Sequence, residues 1–281
     1  MNDRMCFKLA MGQMLVEGGR PEANLDRAEG MIAQAGRQDC AFIVLPECLD
    51  LGWTHPTART LAEPIPGPRA DRIASAARRA GVHVVAGLTE RNGDRVYNAA
   101  ILISPQGTIL AKHRKINELT IGHDLYATGD ILSVVETSCG VVGIDICADN
   151  FADSLVFGHA LARMGAQVIL SPSAWAVPAD HDETSQPCTM LWIDSYSTLT
   201  RLYDLTVVGV SNVGWITGGP WRGRQCIGYS LAMGPGGRII ARGPYGHDAQ
   251  ALVVAEIELQ PPIGRGTEVA AVLKARGYSG P

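Results

Sequence analysis

The chain has 281 residues, 46% hydrophobic and 19% charged, which is long enough for a large core and close to the average of soluble globular proteins. With 24 Lys and Arg against 28 Asp and Glu, the formal charge is 24 − 28 = −4, so a nucleic-acid partner, which demands a clear basic excess, is excluded. No run approaches the roughly 18 uncharged apolar residues of a membrane span.

From the N-terminus, Met1–Cys6 leads into a short apolar stretch broken by Lys8, and no leader-type apolar region is expected. Phe7–Met11 reads as a strand and Pro21–Arg37 as an amphipathic helix. Ala41–Leu45 (AFIVL) is a short continuous apolar run, the pattern of a strand buried on both faces. Arg69–Ala80 reads as a helix closed by Gly81, followed by a strand at Val82–Leu88. Strands at Tyr97–Ser104 and Thr108–Lys112 flank the turn Pro105-Gln106-Gly107. Gly140–Cys147 (GVVGIDIC) predicts another strand, then a helix over Ser154–Met164 and a strand over Ala166–Ser171. A helix at Trp192–Tyr203 precedes strands at Thr206–Ser211, Tyr229–Met233, Arg238–Arg242 and Leu252–Ile257. Strands and helices alternate early and hairpins interleave later, which predicts an α/β fold with a mixed sheet layered by helices. Residues 1–260 read as one domain; 261–281, punctuated by Gly and Pro, read as a C-terminal tail with a partner-binding role.

Seven cysteines (6, 40, 48, 139, 147, 188 and 226) form an odd set without CxxC spacing, which points to the reducing cytoplasm rather than a disulfide scaffold. The seven histidines show neither His-x-His nor His-x-x-x-His spacing, so no metal is expected. No G-x-S-x-G turn supports a serine hydrolase.

Three predicted strand ends carry reactive groups, and in α/β sheets ligands gather outside such ends. AFIVL runs through Pro46 into Glu47, the second hairpin strand runs into Lys115, and GVVGIDIC ends on Cys147. Each alone has a plainer reading: a turn-capping carboxylate, a surface lysine, a buried thiol. Together they are a base, a cation and a nucleophile. A thiol of pKa about 8.5 must lose its proton to attack an amide. A carboxylate raised by low dielectric can take that proton and return it to the leaving nitrogen. An ammonium with a backbone N–H can hold the oxyanion.

The segments LPECLDLGW (45–53), HRKINEL (113–119) and GVVGIDICADN (140–150) resemble the three signature blocks of the nitrilase-like carbon–nitrogen hydrolase superfamily. EPIPGP (63–68), VVAGLTER (84–91), YNAAILISPQGTIL (97–110), GAQVILSPSAW (165–175) and IGYSLAMGPGGRII (227–240) resemble its connecting segments, so the similarity covers about residues 7–259. The resemblance implies a four-layer α-β-β-α sandwich with two stacked mixed sheets, a homodimer or higher homo-oligomer, and no cofactor. It implies Cys147 as nucleophile through a thioester, Glu47 as acid and base, and Lys115 with the Ala148 backbone N–H at the oxyanion. The expected substrate is a small amide or N-carbamoyl compound; nitrile hydrolysis and a non-catalytic ligand-binding relative are the alternatives.

The chain also departs from the family pattern. Many members place a second glutamate between lysine and nucleophile, before a Pro/Thr-Gly-Asp turn, where this chain reads Ile121–Asp130 without one; Glu118 or His123 is expected to supply the contact. True nitrilases follow the cysteine with Trp-Glu-Asn, and this chain has Ala148-Asp149-Asn150, which favours amide over nitrile cleavage. The two arginines that carbamoylases place after the nucleophile are replaced by Asn150-Phe151-Ala152, which argues against a carboxylate-bearing N-carbamoyl amino acid. Asn150 and Trp175 are the expected substrate-lining residues; Trp53, Trp215 and Trp221 are further wall candidates.

Overall fold

The computed structural model describes residues 5–280; Met1–Arg4, part of the stretch read for a leader, and Pro281 lie outside the described residues. In chain order, β1 (Cys6–Gln13), α1 (Pro21–Arg37), β2 (Phe42–Val44), α2 (Ala58–Leu61), α3 (Pro68–Ala80), β3 (His83–Asn92), β4 (Arg95–Ile103) and β5 (Ile109–Arg114) form the first half. The second half runs β6 (Val134–Thr137), β7 (Gly140–Ile144), α4 (Val156–Arg163), β8 (Val168–Ser173), β9 (Ala176–Val177) and α5 (Met190–Tyr203). It continues with β10 (Thr206–Ser211), β11 (Val213–Trp215), β12 (Gln225–Ile227) and β13 (Leu231–Gly234). β14 (Arg238–Arg242), β15 (Ala251–Glu258) and α6 (Glu268–Ala275) complete it.

Local chemistry explains several boundaries. Pro21 and Pro68 open α1 and α3, where a missing N–H leaves no helical bond unmade. Gly81, at φ 69°, ends α3 in the left-handed stop that its sequence position predicts. β7 stops at Ile144, three residues short of the strand read from GVVGIDIC. Asp145 is buried there and bonds sideways to Asn150, and Cys147 takes a left-handed φ of 47°, so the chain leaves the sheet before the thiol.

Two six-stranded mixed sheets, ordered β15-β1-β2-β3-β4-β5 and β14-β13-β10-β8-β7-β6, follow one plan: three parallel strands flanked by antiparallel ones. The alternation of side chains sorts the layers. Ala10, Ile43 and Val84 pack outward with Leu25 and Ile32 of α1 and Ile73 of α3. Leu9, Phe42, Val44 and Val85 pack inward in one cluster with Val142, Val168 and Leu170 of the second sheet, which Leu161 of α4 and Leu199 of α5 join. The result is the expected α-β-β-α sandwich. Residues 261–280 include α6, whose Val269 and Leu273 are buried in that same cluster. Beyond it, Arg276 donates to the carbonyls of Arg201 and Leu202 and pairs with Asp204 at 2.6 Å, closing the C-terminal end of α5. No helix among the described residues is long and apolar enough to cross a membrane.

The turn at Glu47 lies hard against β3. A Cβ on Gly87 of that strand would stand 2.5 Å from the Glu47 Cα and 2.6 Å from the Pro46 carbonyl, both backbone atoms that cannot swing aside. Gly87→Ala is therefore expected to lower unfolding free energy by about 1–3 kcal/mol, the usual cost of overpacking. Denaturant unfolding checks this; an unchanged midpoint would mean that the turn at Glu47 is not held against β3.

Candidate active site

Glu47, Lys115 and Cys147 leave the ends of β2, β5 and β7 and meet between the two sheets, with exposures of 1%, 2% and 7%. The turn carrying Glu47 is pinned by its own N–H to the Ser173 carbonyl at 3.3 Å, and Leu49 N donates to the Gly87 carbonyl at 2.9 Å. Lys115 continues the β5 ladder, donating its N–H to the Asn98 carbonyl at 2.8 Å. Its ammonium lies 2.7 Å from Glu47 Oε1 and 3.4 Å from Glu118 Oε1. Asn98 spans the two carboxylates, its Nδ2 donating at 2.6 Å to Glu47 Oε1 and at 3.0 Å to Glu118 Oε2. Trp53 Nε1 completes the ring by donating to Glu118 Oε1 at 3.2 Å.

The nucleophile candidate sits on a 3-10 turn, Cys147–Asn150, that starts from a positive φ. A non-glycine residue held there stores about 1–3 kcal/mol unless its surroundings fix it. They do: Cys147 N donates to Ser171 Oγ at 3.1 Å, and the fully buried Asp149 clamps the turn. Asp149 Oδ2 accepts from Ile146 N at 3.0 Å, while Oδ1 accepts from Ile116 N at 3.1 Å and Asn117 N at 2.7 Å, tying the Cys147 turn to the loop after Lys115. His113 Nε2 meets Asp149 Oδ2 at 2.9 Å and its Nδ1 meets the Ile131 carbonyl at 3.2 Å. Burial works against the charged ring, but Asp149 outweighs it and raises the pKa of His113; both partners only accept, which suits an imidazolium.

The electrostatics follow from burial and charge. Burial raises the Glu47 carboxyl above its ordinary 4.5, against the pull of Lys115. Burial opposes the Lys115 ammonium too, but the carboxylates of Glu118 and Glu47 outweigh it and lift its pKa well above the ordinary range. Burial, then the Glu47 charge, pushes the Cys147 thiol well above its ordinary value, so the resting thiol is neutral and needs a base. Glu47 Oε2 makes no hydrogen bond among the described residues, and this leaves one carboxylate oxygen open for a proton.

The three groups open onto a cavity of about 210 Å³. Its walls include Trp53, Trp175, Trp192, Trp221, Phe151 and Leu191. Trp175 and Trp192 stack, with centroids 4.7 Å apart and planes 16° off parallel. Trp175 thus lines the cavity, whereas Trp215 is 43% exposed and packs on His247 elsewhere. Glu118 joins the centre. His123 does not: its ring is exposed, with Nε2 facing the Glu118 backbone carbonyl at 3.0 Å. Asn150 does not line the cavity either. The 3-10 turn carries it behind the thiol, fully buried, where its Nδ2 donates to Asp145 Oδ1 at 2.7 Å and Ser171 Oγ at 3.1 Å. Asn98, Trp192 and Leu191 are among the site residues that sequence reasoning misses. A polar residue inside the apolar strand YNAAILI is the available signal for Asn98; Trp192 reads as an ordinary core position of its helix.

Among the described residues one trio, His181, Glu183 and Cys188, brings metal-type ligand atoms within 4.8 Å of one another. Glu183 is already engaged there, accepting from the N–H groups of Cys188 and Thr189 at 3.1 Å and from Cys188 Sγ at 3.0 Å. These bonds cap the start of α5. Burial opposes the Glu183 charge, yet its donors hold its pKa at about 2, and burial followed by that carboxylate pushes Cys188 to about 12.

Known proteins resemble this chain in sequence and fold. The Carbon-nitrogen hydrolase family profile matches residues 8–261. A nitrilase from Pyrococcus abyssi is 30% identical over 257 residues, covering 90% of each chain. An omega-amidase from Xenopus tropicalis is 28% identical over 268 residues, 90% of this chain and 89% of that one. The amidase from Nesterenkonia sp. superposes with a TM-score of 0.76 at 20% identity over 92% of each chain. A carbon-nitrogen hydrolase from Helicobacter pylori G27 superposes with a TM-score of 0.82 at 18% identity, over 98% of this chain and 93% of that one, a likeness of fold. With its signature segments, its sandwich and a family match over nearly its full length, the chain belongs to the carbon-nitrogen hydrolase family.

Proposed function

We propose that the chain hydrolyses a small amide or N-carbamoyl compound through a thioester on Cys147, with Glu47 as acid and base and Lys115 and the Ala148 N–H at the oxyanion. The observation that carries this reading is the buried contact of Lys115 Nζ with Glu47 Oε1 at 2.7 Å beside a buried thiol, with Glu47 Oε2 left open. In the reaction, Glu47 takes the thiol proton as sulfur bonds to the carbonyl carbon. The oxyanion that forms is met by an ammonium already in place, so little reorganisation is required. Collapse breaks the C–N bond, Glu47 gives its proton to the departing nitrogen, and the acyl group remains as a thioester. Water then attacks the thioester with Glu47 again taking a proton; the carboxylic acid leaves and the proton returns to sulfur. Glu118 and Asn98 act as positioning groups that hold Lys115 and Glu47. A variant of the amidase from Nesterenkonia sp. AN1 carries the acetamide moiety of fluoroacetamide covalently on its active site cysteine, in keeping with a nucleophilic cysteine at this place. Cysteines free of disulfides among the described residues suit a reducing, cytoplasmic setting, and the family resemblance favours a homo-oligomer.

Intact mass during turnover of short amides is expected to reveal a transient acyl adduct on Cys147, with ammonia release lost in Cys147→Ser. Parent-like turnover by that variant would remove the nucleophile assignment. Lys115→Ala, provided it keeps the native circular dichroism, is expected to lose about 100–1,000-fold in rate, as for a lost oxyanion donor; full activity would exclude the lysine from the chemistry.

The pH profile follows from the direction of the shifts. The base must be ionised, so kcat/KM rises with pH through the Glu47 pKa, and burial puts that midpoint above 4.5. Lys115, raised well above its ordinary 10.5, causes no loss through neutral pH. Asp145, pushed to about 7 by burial and Asp149, is a second buried carboxyl able to shape an acidic limb. Asp145→Asn is expected to keep the acidic limb; its disappearance would shift the role from Glu47 to Asp145.

A further inference from the structure

We propose that the acyl side of this cavity selects a compact, uncharged, apolar acyl group and rejects acyl groups that carry a carboxylate. The inference rests on the hydrolase reading and concerns what lies beyond the scissile carbonyl.

The lining is the first ground. The ionisable side chains that line the cavity are Glu47, Lys115, Cys147 and Cys188; every other lining residue is apolar or aromatic. Lys115 is not a spare cation, because Glu47 and Glu118 already hold it at 2.7 and 3.4 Å. Arg224 lies over the Trp221 ring, 4.1 Å from its centroid, and is not part of the lining. On the Cys188 wall the neighbouring charge is negative, since Glu183 Oε2 is 3.0 Å from that sulfur. A substrate carboxylate would thus shed its water against indole faces and meet a second carboxylate, with no guanidinium to receive it. Trp175 Nε1, buried without a partner among the described residues, is one neutral donor and cannot replace a carboxylate's hydration.

Size and shape are the second ground. At about 210 Å³ the cavity falls below the roughly 300 Å³ at which pockets for drug-sized ligands begin. The stacked Trp175–Trp192 pair, with Phe151 tilted against Trp192 at 5.2 Å, presents flat aromatic surface that favours compact hydrocarbon.

The test compares two near-isosteric amides on the full chain, 4-methylpentanamide and succinamate, which differ chiefly in an isopropyl group against a carboxylate. The expected result is a kcat/KM at least about 100-fold higher for 4-methylpentanamide, from burial of an unpaired charge. Equal values, or a preference for succinamate, overturn the inference. If intact mass then still shows an acyl adduct on Cys147, the hydrolase reading survives that failure; if neither amide yields adduct or ammonia, the hydrolase reading fails and the inference with it. Leu191, 42% exposed on α5 and lining the cavity, offers the converse. Leu191→Arg is expected to shift the ratio toward succinamate by at least about tenfold, the worth of one charged hydrogen bond. An unchanged ratio would mean that a missing cation is not what discriminates. Arg224→Ala is expected to leave the ratio as it is; selective loss of succinamate turnover would make Arg224 a hidden clamp and overturn the proposal.

Discussion

The site depends on one buried ammonium. Lys115 is 2% exposed, and a charge so far from water is tolerated only because two carboxylates and an aromatic face surround it. Removing a partner from such a group costs roughly 3–5 kcal/mol, because the remaining charge stays buried and uncompensated. The same low dielectric that makes the arrangement costly makes it useful. It raises the Glu47 carboxyl and keeps the Cys147 thiol neutral, while the carboxylates of Glu118 and Glu47 keep Lys115 protonated against it. Stability and chemistry therefore draw on the same few contacts.

Around that centre the protein fixes geometry with hydrogen bonds rather than bulk. Asn98 holds both carboxylates with one amide nitrogen, and Asp149 holds the turns on either side of the cavity with one carboxylate. Each is a short side chain on a rigid element, so small errors in strand position are not amplified at the site. Ser171 plays a like part from β8, accepting from both Cys147 N and Asn150 Nδ2. The left-handed backbone of Cys147 is held in place by this network, which presents the sulfur at the cavity instead of leaving it within the strand.

The three candidate groups and the aromatic wall sit on different parts of the fold. Glu47, Lys115 and Cys147 come from strand ends between the two sheets, whereas much of the aromatic wall comes from α5 and the loops at residues 53, 151 and 221. Loops and helix faces can change without disturbing the sheets, so one set of reactive groups can serve different acyl groups.

The sequence alone brought forward the three candidate groups and determined most of the framework. Helix Pro21–Arg37 and strands Thr206–Ser211 and Arg238–Arg242 have the boundaries that their periodicity and turn residues predict, because those signals are local. Glu47 and Cys147 stood out because each ends an apolar run, and Lys115 only as part of that set and of the segment HRKINEL (113–119). Short pieces such as β9, β11 and β12 were not legible, since two or three residues carry no period and exist only through the partners they pair with. Nor could local sequence tell Glu118 from His123, or Asn150 from Trp175. A 3-10 turn sends Asn150 behind the sulfur, and the loop after β5 folds Glu118 back on Lys115 while His123 reaches only the Glu118 backbone carbonyl. Which side chains face one another across the two sheets is decided by packing between residues far apart in the chain, and only the tertiary structure contains it.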